Sequence, residues 1–427
     1  MRLEKNYKAA LLNEKQIKSL QEQRLRAHLN HCAKNSPFYR RLFSERKLNA
    51  GKVDLQGLKY LPFTTKEDLQ KFNNDFLAVP SEALADIVLS SGTTADPVRI
   101  MYTGYDLERL AYNEEKAFLG CEVTSKDKVL LTCTMDRCFV AGLAYYLGAR
   151  AVGAAVIRNG LSSVESHAQI IKDLKPTTIV GVPSFIRKLG NYMREKGVMT
   201  TTVDKIICIG EPLRSEYLDL LKVAKDIVRL WNAKIYSTYS TSEIVTTFCE
   251  CTQKSGGHLH PDLGIVEIVD DQGDPLPSGE KGEVVVTPLA VEGMPLVRFK
   301  TGDISFLIEG HCGCGRNSAR LGPILGRKKQ MMKVKGTTLY PQAVFSAVEE
   351  VKGLSEYYIE VESEDALSDK IKIHLSGENL KKEEVEKLLQ SKLRVTPEVF
   401  IEDEKPLKEK IFDASHKPMR FFDRRGK

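Results

Sequence analysis

Apolar positions in QIKSLQEQRLRAHLNHCAK recur near helical spacing. Ile17, Leu20, Leu25 and Leu29 fall on one side and Lys and Arg on the others, so residues 14–50 read as helix. From Asp86 to about Arg327 the texture changes. Short β-branched runs read as strands: IVLSS (87–91), KVLLTCT (128–134), AAVI (154–157), TTIVGVP (177–183) and DKIICIG (204–210). Between them, VESHAQIIKDL (164–174) and SFIRKLGNYMREKG (184–197) read as amphipathic helices. This alternation predicts an α/β fold, with a mixed or parallel sheet covered by helices. Residues 264–308 turn to strands punctuated by Gln-Gly, Asp-Pro and Ser-Gly, an antiparallel meander. After Gly326-Arg327 a basic stretch, KKQMMKVKG, leads into a helix (PQAVFSAVEEV), two strands (YYIEVES, KIKIHLS), a helix (KKEEVEKLLQSKL) and a last strand (PEVFIED). That order predicts a separate small α+β domain. The expected division is 1–325 and 326–427.

Length agrees with this division, since 427 residues at roughly 150 per domain suggest two or three domains. With 42% hydrophobic and 28% charged residues the composition is globular. No run approaches the ~18 apolar residues of a membrane span, so no membrane role is expected. Met1-Arg2-Leu3-Glu4-Lys5 opens into charge rather than a secretory core, which points to the cytoplasm. The net charge, 63 − 57 = +6, is spread along the chain and gives no stripe for nucleic acid. Small anions remain as ligands. Nine cysteines cannot all pair. Cys32, Cys121, Cys133, Cys138 and Cys208 stand singly and read as small buried hydrophobes.

Ser90-Ser91-Gly92-Thr93-Thr94-Ala95-Asp96-Pro97 follows the apolar Ile87-Val88-Leu89. Its hydroxyls, its glycine and its run of backbone N–H groups suit a polyphosphate, although it lacks the lysine of a P-loop. Other short segments follow in a particular order: SPFYRRLF (36–43), LPFTTKEDL (61–69), Tyr102-Thr103 with Asp106-Leu107, PSF (183–185), GEPLR (210–214), YSTSE (239–243), RFKTGD (298–303), MMKVKGTTLYP (331–341) and HKPMRFFDRR (416–425). Jointly they resemble the adenylate-forming enzymes, and within them the phenylacetate–CoA ligase type, nearly end to end.

The resemblance implies a large N-terminal adenylate-forming domain with a small mobile α+β domain behind it. It also implies an ATP-dependent acid–CoA ligase, with ATP, Mg²⁺ and coenzyme A as cofactors and an aryl or arylacetic acid as substrate. A carrier-protein thiol or an amine is the alternative acceptor. Ser90, Ser91, Gly92, Thr93 and Thr94 would clamp the β/γ-phosphates. Glu243 would hold Mg²⁺ and Ser242 would reach a phosphate. Gly210, Glu211 and Pro212 would lie against adenine, with Tyr239 stacked on it. Asp303 would accept from the ribose hydroxyls, and Arg327 would sit by ribose or phosphate. Lys66 could approach the phosphates. Lys417, in His416-Lys417-Pro418-Met419-Arg420, takes the place of the adenylation lysine, although its usual preceding Gly is here His. Phe139, Tyr145 and Tyr146 would line the acyl pocket, with plain core the equal alternative. The usual paired Asp of the hinge is replaced by Lys329-Gln330. Oligomeric state stays open, a homodimer being common at this size.

Cys251-x₆-His258 and Cys312-x-Cys314 supply three thiolates and an imidazole in Gly-rich, turn-like sequence, as a structural zinc requires. Some members of the resembled subfamily carry Cys and His at matching places. Cys249, His260 and His311 are spare ligands, and reduced cysteines without metal are the alternative.

Overall fold

A computed structural model describes all residues except 1–3, 91–97, 199–200, 335–336, 365–367, 412–418 and 426–427. The chain forms two compact units, Met1–Thr301 with Ser305–Ile324 and Gly302–Ile304 with Leu325–Lys427.

The larger unit is built on a nine-stranded sheet. Five strands run parallel, in the order Lys234–Tyr239, Lys205–Cys208, Thr178–Gly181, Lys128–Leu131 and Ala155–Arg158. In the three central strands the apolar runs are continuous because both faces are covered, whereas the edge strand Ala155–Arg158 is partly exposed. Leu130, Ile179, Ile206 and Ile235 point to one core, under the helices Val164–Leu174, Pro183–Glu195 and Lys222–Trp231. Their neighbours Val129, Leu131, Val180, Ile207 and Tyr236 point to the other. There they meet Phe118 of the helix Gly104–Gly120 and Tyr145 of the helix Val140–Val152. Beyond Lys234–Tyr239 the sheet turns antiparallel through Phe248–Cys249, Gly257–His258, Arg320–Leu321 and Leu307–Ile308. The expected meander is present, with Gly264–Val269 paired antiparallel to Gly282–Pro288 over six residue pairs.

The expected single helix over 14–50 is two helices, Glu14–Asn35 and Pro37–Glu45. Pro37 has no N–H to continue the first helix but is well suited to open the second. Asn13 starts the first helix with a capping box shared with Gln16. Of the five cysteines read as buried, Cys138 is exposed, in a turn where its φ is +52° and its carbonyl accepts from the Leu89 N–H at 2.8 Å.

In the smaller unit Leu354–Ser363 and Asp369–Gly377 form an antiparallel pair, flanked in parallel by Phe421–Asp423 and Glu398–Ile401. The helices Pro341–Val348 and Lys382–Leu393 cover one core. A further helix, Glu404–Ile411, packs Leu407 and Ile411 against Tyr358.

The Gly104–Gly120 and Val140–Val152 helices meet closely at Gly148. A Cβ there would lie 2.2 Å from the Glu114 Cβ and 2.9 Å from the Glu114 carbonyl carbon. Gly148→Ala is therefore expected to destabilise the protein by about 3 kcal/mol or more through overpacking. A chemical-denaturation midpoint equal to that of the parent would contradict this packing.

Candidate active site and metal centre

In the larger unit, several of the predicted site residues sit at the carboxyl ends of the parallel strands, where open α/β sheets bind ligands. Gly210 and Glu211 follow Lys205–Cys208, Ser184 follows Thr178–Gly181, Phe139 follows Lys128–Leu131, and Tyr239 closes its strand. Gly210 takes φ +73°, a left-handed turn that suits glycine. The Glu211 carboxylate accepts from the Ser184 N–H at 2.9 Å and the Ser184 hydroxyl at 2.7 Å. It thereby caps the first turn of Pro183–Glu195 and fixes the backbone of 210–212.

Tyr239 is half-buried, with Phe248 against it at a ring separation of 5.9 Å and 28° between planes. The loop after it reverses the chain from the parallel to the antiparallel half of the sheet. Ser242 and Glu243 lie on this loop and are both buried. The buried Tyr102 hydroxyl donates to the Ser242 carbonyl at 2.8 Å. Burial first, and the nearby Glu243 charge second, push the Tyr102 phenol well above its usual range, so it stays a donor. Val245, at φ +48°, gives its carbonyl to the buried Arg109 guanidinium. Arg109 also donates to the carbonyls of Leu289 (2.7 Å) and Leu263 (2.5 Å) and to Thr246 Oγ1 (3.2 Å).

Lys66 Nζ stands 3.9 Å from Glu243 Oε1. It opens the helix Lys66–Lys71, which Thr65 and Asp68 cap. A second buried arginine holds the segment before it. Arg298 donates to Glu267 at 3.0 and 2.9 Å and to the carbonyls of Lys59 and Leu61, with Phe63 stacked on its guanidinium at 4.1 Å. Thr64 then exchanges backbone hydrogen bonds with Arg298 and Lys300.

Ser90 lies at the end of the hairpin formed by Leu84–Leu89 and Arg99–Thr103. Its N–H donates to the Val98 carbonyl at 2.8 Å, and its buried hydroxyl has no partner among the described residues. Ser91, Gly92, Thr93, Thr94 and Lys417 lie outside the described residues. Tyr145 is buried, edge-on to Phe118, with its hydroxyl 3.1 Å from Thr238 Oγ1. Phe139 and Tyr146 are half-buried, and Tyr146 carries Arg158 over its ring at 5.4 Å. In the smaller unit Asp303 pairs in register with Arg327, whose Nε is 3.8 Å from Asp303 Oδ1.

The ligand atoms of Cys251, His258, Cys312 and Cys314 all lie within 4.8 Å of one another. Cys251 Sγ is 3.7 Å from Cys312 Sγ, and Cys314 Sγ is 3.4 Å from His258 Nε2. A tetrahedral zinc with its usual bond lengths would separate two sulfurs by about 3.8 Å, and a sulfur and a nitrogen by about 3.5 Å. The donor set fits. Ser318 Oγ lies 3.2 Å from the other ring nitrogen of His258 and orients the ring. Burial, with Arg316 and Arg320 close by, holds this imidazole down at about 3, in its neutral ligating form. The spare candidates lie elsewhere. Cys249 faces Cys121 at 3.2 Å, His311 bonds Asn317, and buried His260 has neither ring nitrogen partnered among the described residues.

Sequence reading gave no role to Arg109, Arg298 or the buried Glu114. A lone charged residue on a helix or strand reads as a solvated one, and nothing local marks these as interior.

A family model for AMP-binding enzymes matches residues 12–291. The phenylacetate–coenzyme A ligase of Thermus thermophilus is 32% identical over 377 residues, covering 86% of this chain and 83% of that one. That of Escherichia coli is 28% identical over 383 residues, with 86% and 85% covered. Among solved structures, 2-hydroxyisobutyryl-CoA ligase in the postadenylation state superposes with a TM-score of 0.87 at 19% identity, covering 99% of this chain and 94% of that one. O-succinylbenzoate coenzyme A synthetase from Bacillus subtilis does so with a TM-score of 0.58 at 17% identity, over 80% and 69%. At these identities the two superpositions speak to fold alone, while the family model and the sequence relatives go further: the chain belongs to the adenylate-forming AMP-binding enzymes, in the phenylacetate–CoA ligase-like family.

Proposed function

We propose that this protein is an ATP-dependent carboxylate–CoA ligase. A carboxylate oxygen attacks the α-phosphorus of ATP, pyrophosphate leaves, and an acyl-adenylate forms. The sulfur of coenzyme A then attacks the acyl carbon and AMP leaves. The observation that carries this reading is the pinned 239–247 loop. It holds the buried Glu243 against Lys66 beside the carboxyl ends of the parallel strands, in a chain of this family.

The physical difficulty is bringing two anions together, so charge neutralisation and alignment dominate. Glu243 would hold Mg²⁺, which supplies positive charge at the phosphates. Lys66 and the Ser90–Thr94 segment supply further donors to the phosphates, and Ser242 another. Gly210-Glu211-Pro212 and Tyr239 offer a backbone edge and a ring to adenine. Asp303 is the acceptor for the ribose hydroxyls, with Arg327 beside it. We assign Lys417 the bridging of attacking carboxylate and leaving phosphate, from its HKPMR setting. The acid is aryl or arylacetic, in line with the named relatives. Cys251, His258, Cys312 and Cys314 would hold a structural zinc. With four ligands it has no open position for chemistry.

One departure keeps the second acceptor in view. Lys329-Gln330 stands where the resembled enzymes carry a paired Asp, and Arg425 donates to the Met331 carbonyl at 2.6 Å just beyond it. A carrier-protein thiol or an amine would then receive the acyl group.

A panel of carboxylic acids with ATP is expected to show pyrophosphate release, and acyl-CoA when coenzyme A is added. Release without acyl-CoA would favour the other acceptors, and no release with any acid would overturn the reading. Lys417→Ala is expected to slow adenylation by about 10²-fold or more, while a supplied acyl-adenylate is converted at near the parent rate. Equal loss in both half-reactions would contradict that assignment. Metal analysis of the purified protein is expected to give about one zinc per chain. A content below about half an equivalent would contradict the site.

A further inference from the structure

Glu114 lies midway along the Gly104–Gly120 helix and is 2% exposed. One carboxylate oxygen, Oε1, accepts from the Thr247 hydroxyl and from Asn113 Nδ2 at 3.1 Å. The other, Oε2, is buried and has no partner among the described residues. The carboxyl is held rigidly, since Gly148 of the neighbouring helix packs onto its Cβ and Asn113 Oδ1 also accepts from the Thr247 N–H at 3.3 Å. Its charge reaches the Tyr145 hydroxyl, which bonds Thr238. A carboxyl and three hydroxyls therefore gather inside an otherwise apolar core. The carboxyl comes from the Gly104–Gly120 helix, and the hydroxyls come from the helix bearing Tyr145, the strand ending in Tyr239 and the loop bearing Ser242 and Glu243. These are the elements that carry the candidate acid and nucleotide groups.

A buried carboxyl left half-satisfied is costly, and an apolar ring brought against it would leave it so. We propose that Glu114 Oε2 selects the acid: the substrate carries a hydrogen-bond donor, a hydroxyl or an amino group, on the part remote from its reacting carboxylate. This rests on the ligase reading and deepens it. Burial raises the Glu114 carboxyl to about 7, and above that value the ionised second oxygen is an acceptor only, so the preference is read on the alkaline side. Glu114 is thus a specificity-determining residue and takes no part in the bond changes. The four-residue spacing from Glu114 back to Leu110 gives no hint of this role, because Leu110 is simply core.

The test pairs acids that differ only in the remote substituent: hydroxyl, amino, carbonyl or hydrogen on the same aryl acid. The parent enzyme is expected to favour the hydroxyl or amino member over the unsubstituted one by at least about 30-fold in kcat/KM for pyrophosphate release. The two donor arms tell which donor is used. Glu114→Leu should abolish that preference, bringing the kcat/KM ratio of the donor-bearing to the unsubstituted acid to about one. Glu114→Gln, which keeps the shape, turns the free position into a donor and should shift preference toward the carbonyl member. Should Glu114→Leu fail to fold, the Gln variant carries the test. A parent preference below about threefold, or an unmoved ratio in Glu114→Gln, overturns the proposal while leaving the ligase function standing. Absence of pyrophosphate release with every acid overturns the function itself, and this proposal with it.

Discussion

One buried cation ties the candidate site together. Arg109 is fully enclosed, and among the described residues its hydrogen bonds go to backbone carbonyls and a hydroxyl rather than to a carboxylate. Burial lowers its guanidinium to about 10, still far above neutrality, so the charge persists inside the protein. The planar fork of arginine serves four acceptors from three separate segments at once, whereas an ammonium, with three N–H donors at one point, would leave at least one of them bare. The loop that carries Glu243 is thereby fixed to the meander at Leu263 and Leu289.

The same economy of buried polar groups recurs around it. Asp106 caps its own helix through Thr103 and accepts from the N–H groups of Glu292 and Gly293 at 2.7 and 2.8 Å. Gly293 can approach so closely only because it has no side chain, since a Cβ would meet Asp106 Oδ2 at 2.8 Å. Arg214 clasps the buried Glu250, which also accepts from the Ser237 N–H at 2.9 Å and joins the 210–214 segment to the sheet beside the metal ligands. Each of these groups fixes backbone, and the backbone in turn presents Tyr239, Ser242 and Glu211.

Much of this was legible beforehand. Four of the five parallel strands were read from their apolar runs and Val164–Leu174 occupies the predicted span, whereas Lys234–Tyr239, with Ser237 and Thr238 inside it, was not read as a strand. The four metal donors were readable from short spacings on turns, and they converge. What sequence concealed was interior charge. Arg109, Glu114 and Arg298 lie among residues that a periodicity argument assigns to solvent, and their burial depends on segments more than a hundred residues away. The helix Glu404–Ile411 was missed for the opposite reason. Its only buried residues, Leu407 and Ile411, are too few to mark a face, and Pro406 reads as a breaker although the first turn of a helix tolerates it.

The segment just after the metal ligands also holds the start of the chain. Asn317, three residues past Cys314, donates through its side chain to the carbonyls of Leu11 and Leu12 and through its N–H to that of Ala10. Ser318, the partner of His258, donates to Ala10 as well. The side-chain bonds of Asn317 span 305 and 306 positions, and the two backbone bonds to Ala10 slightly more. During synthesis the opening segment can meet Tyr112 and Glu115 early, through Asn6 and Tyr7, but the carbonyls of residues 10–12 find these later partners only when nearly three quarters of the polypeptide has been made. Closure of the bonds to residues 10–12 should be among the later events in maturation of the larger unit.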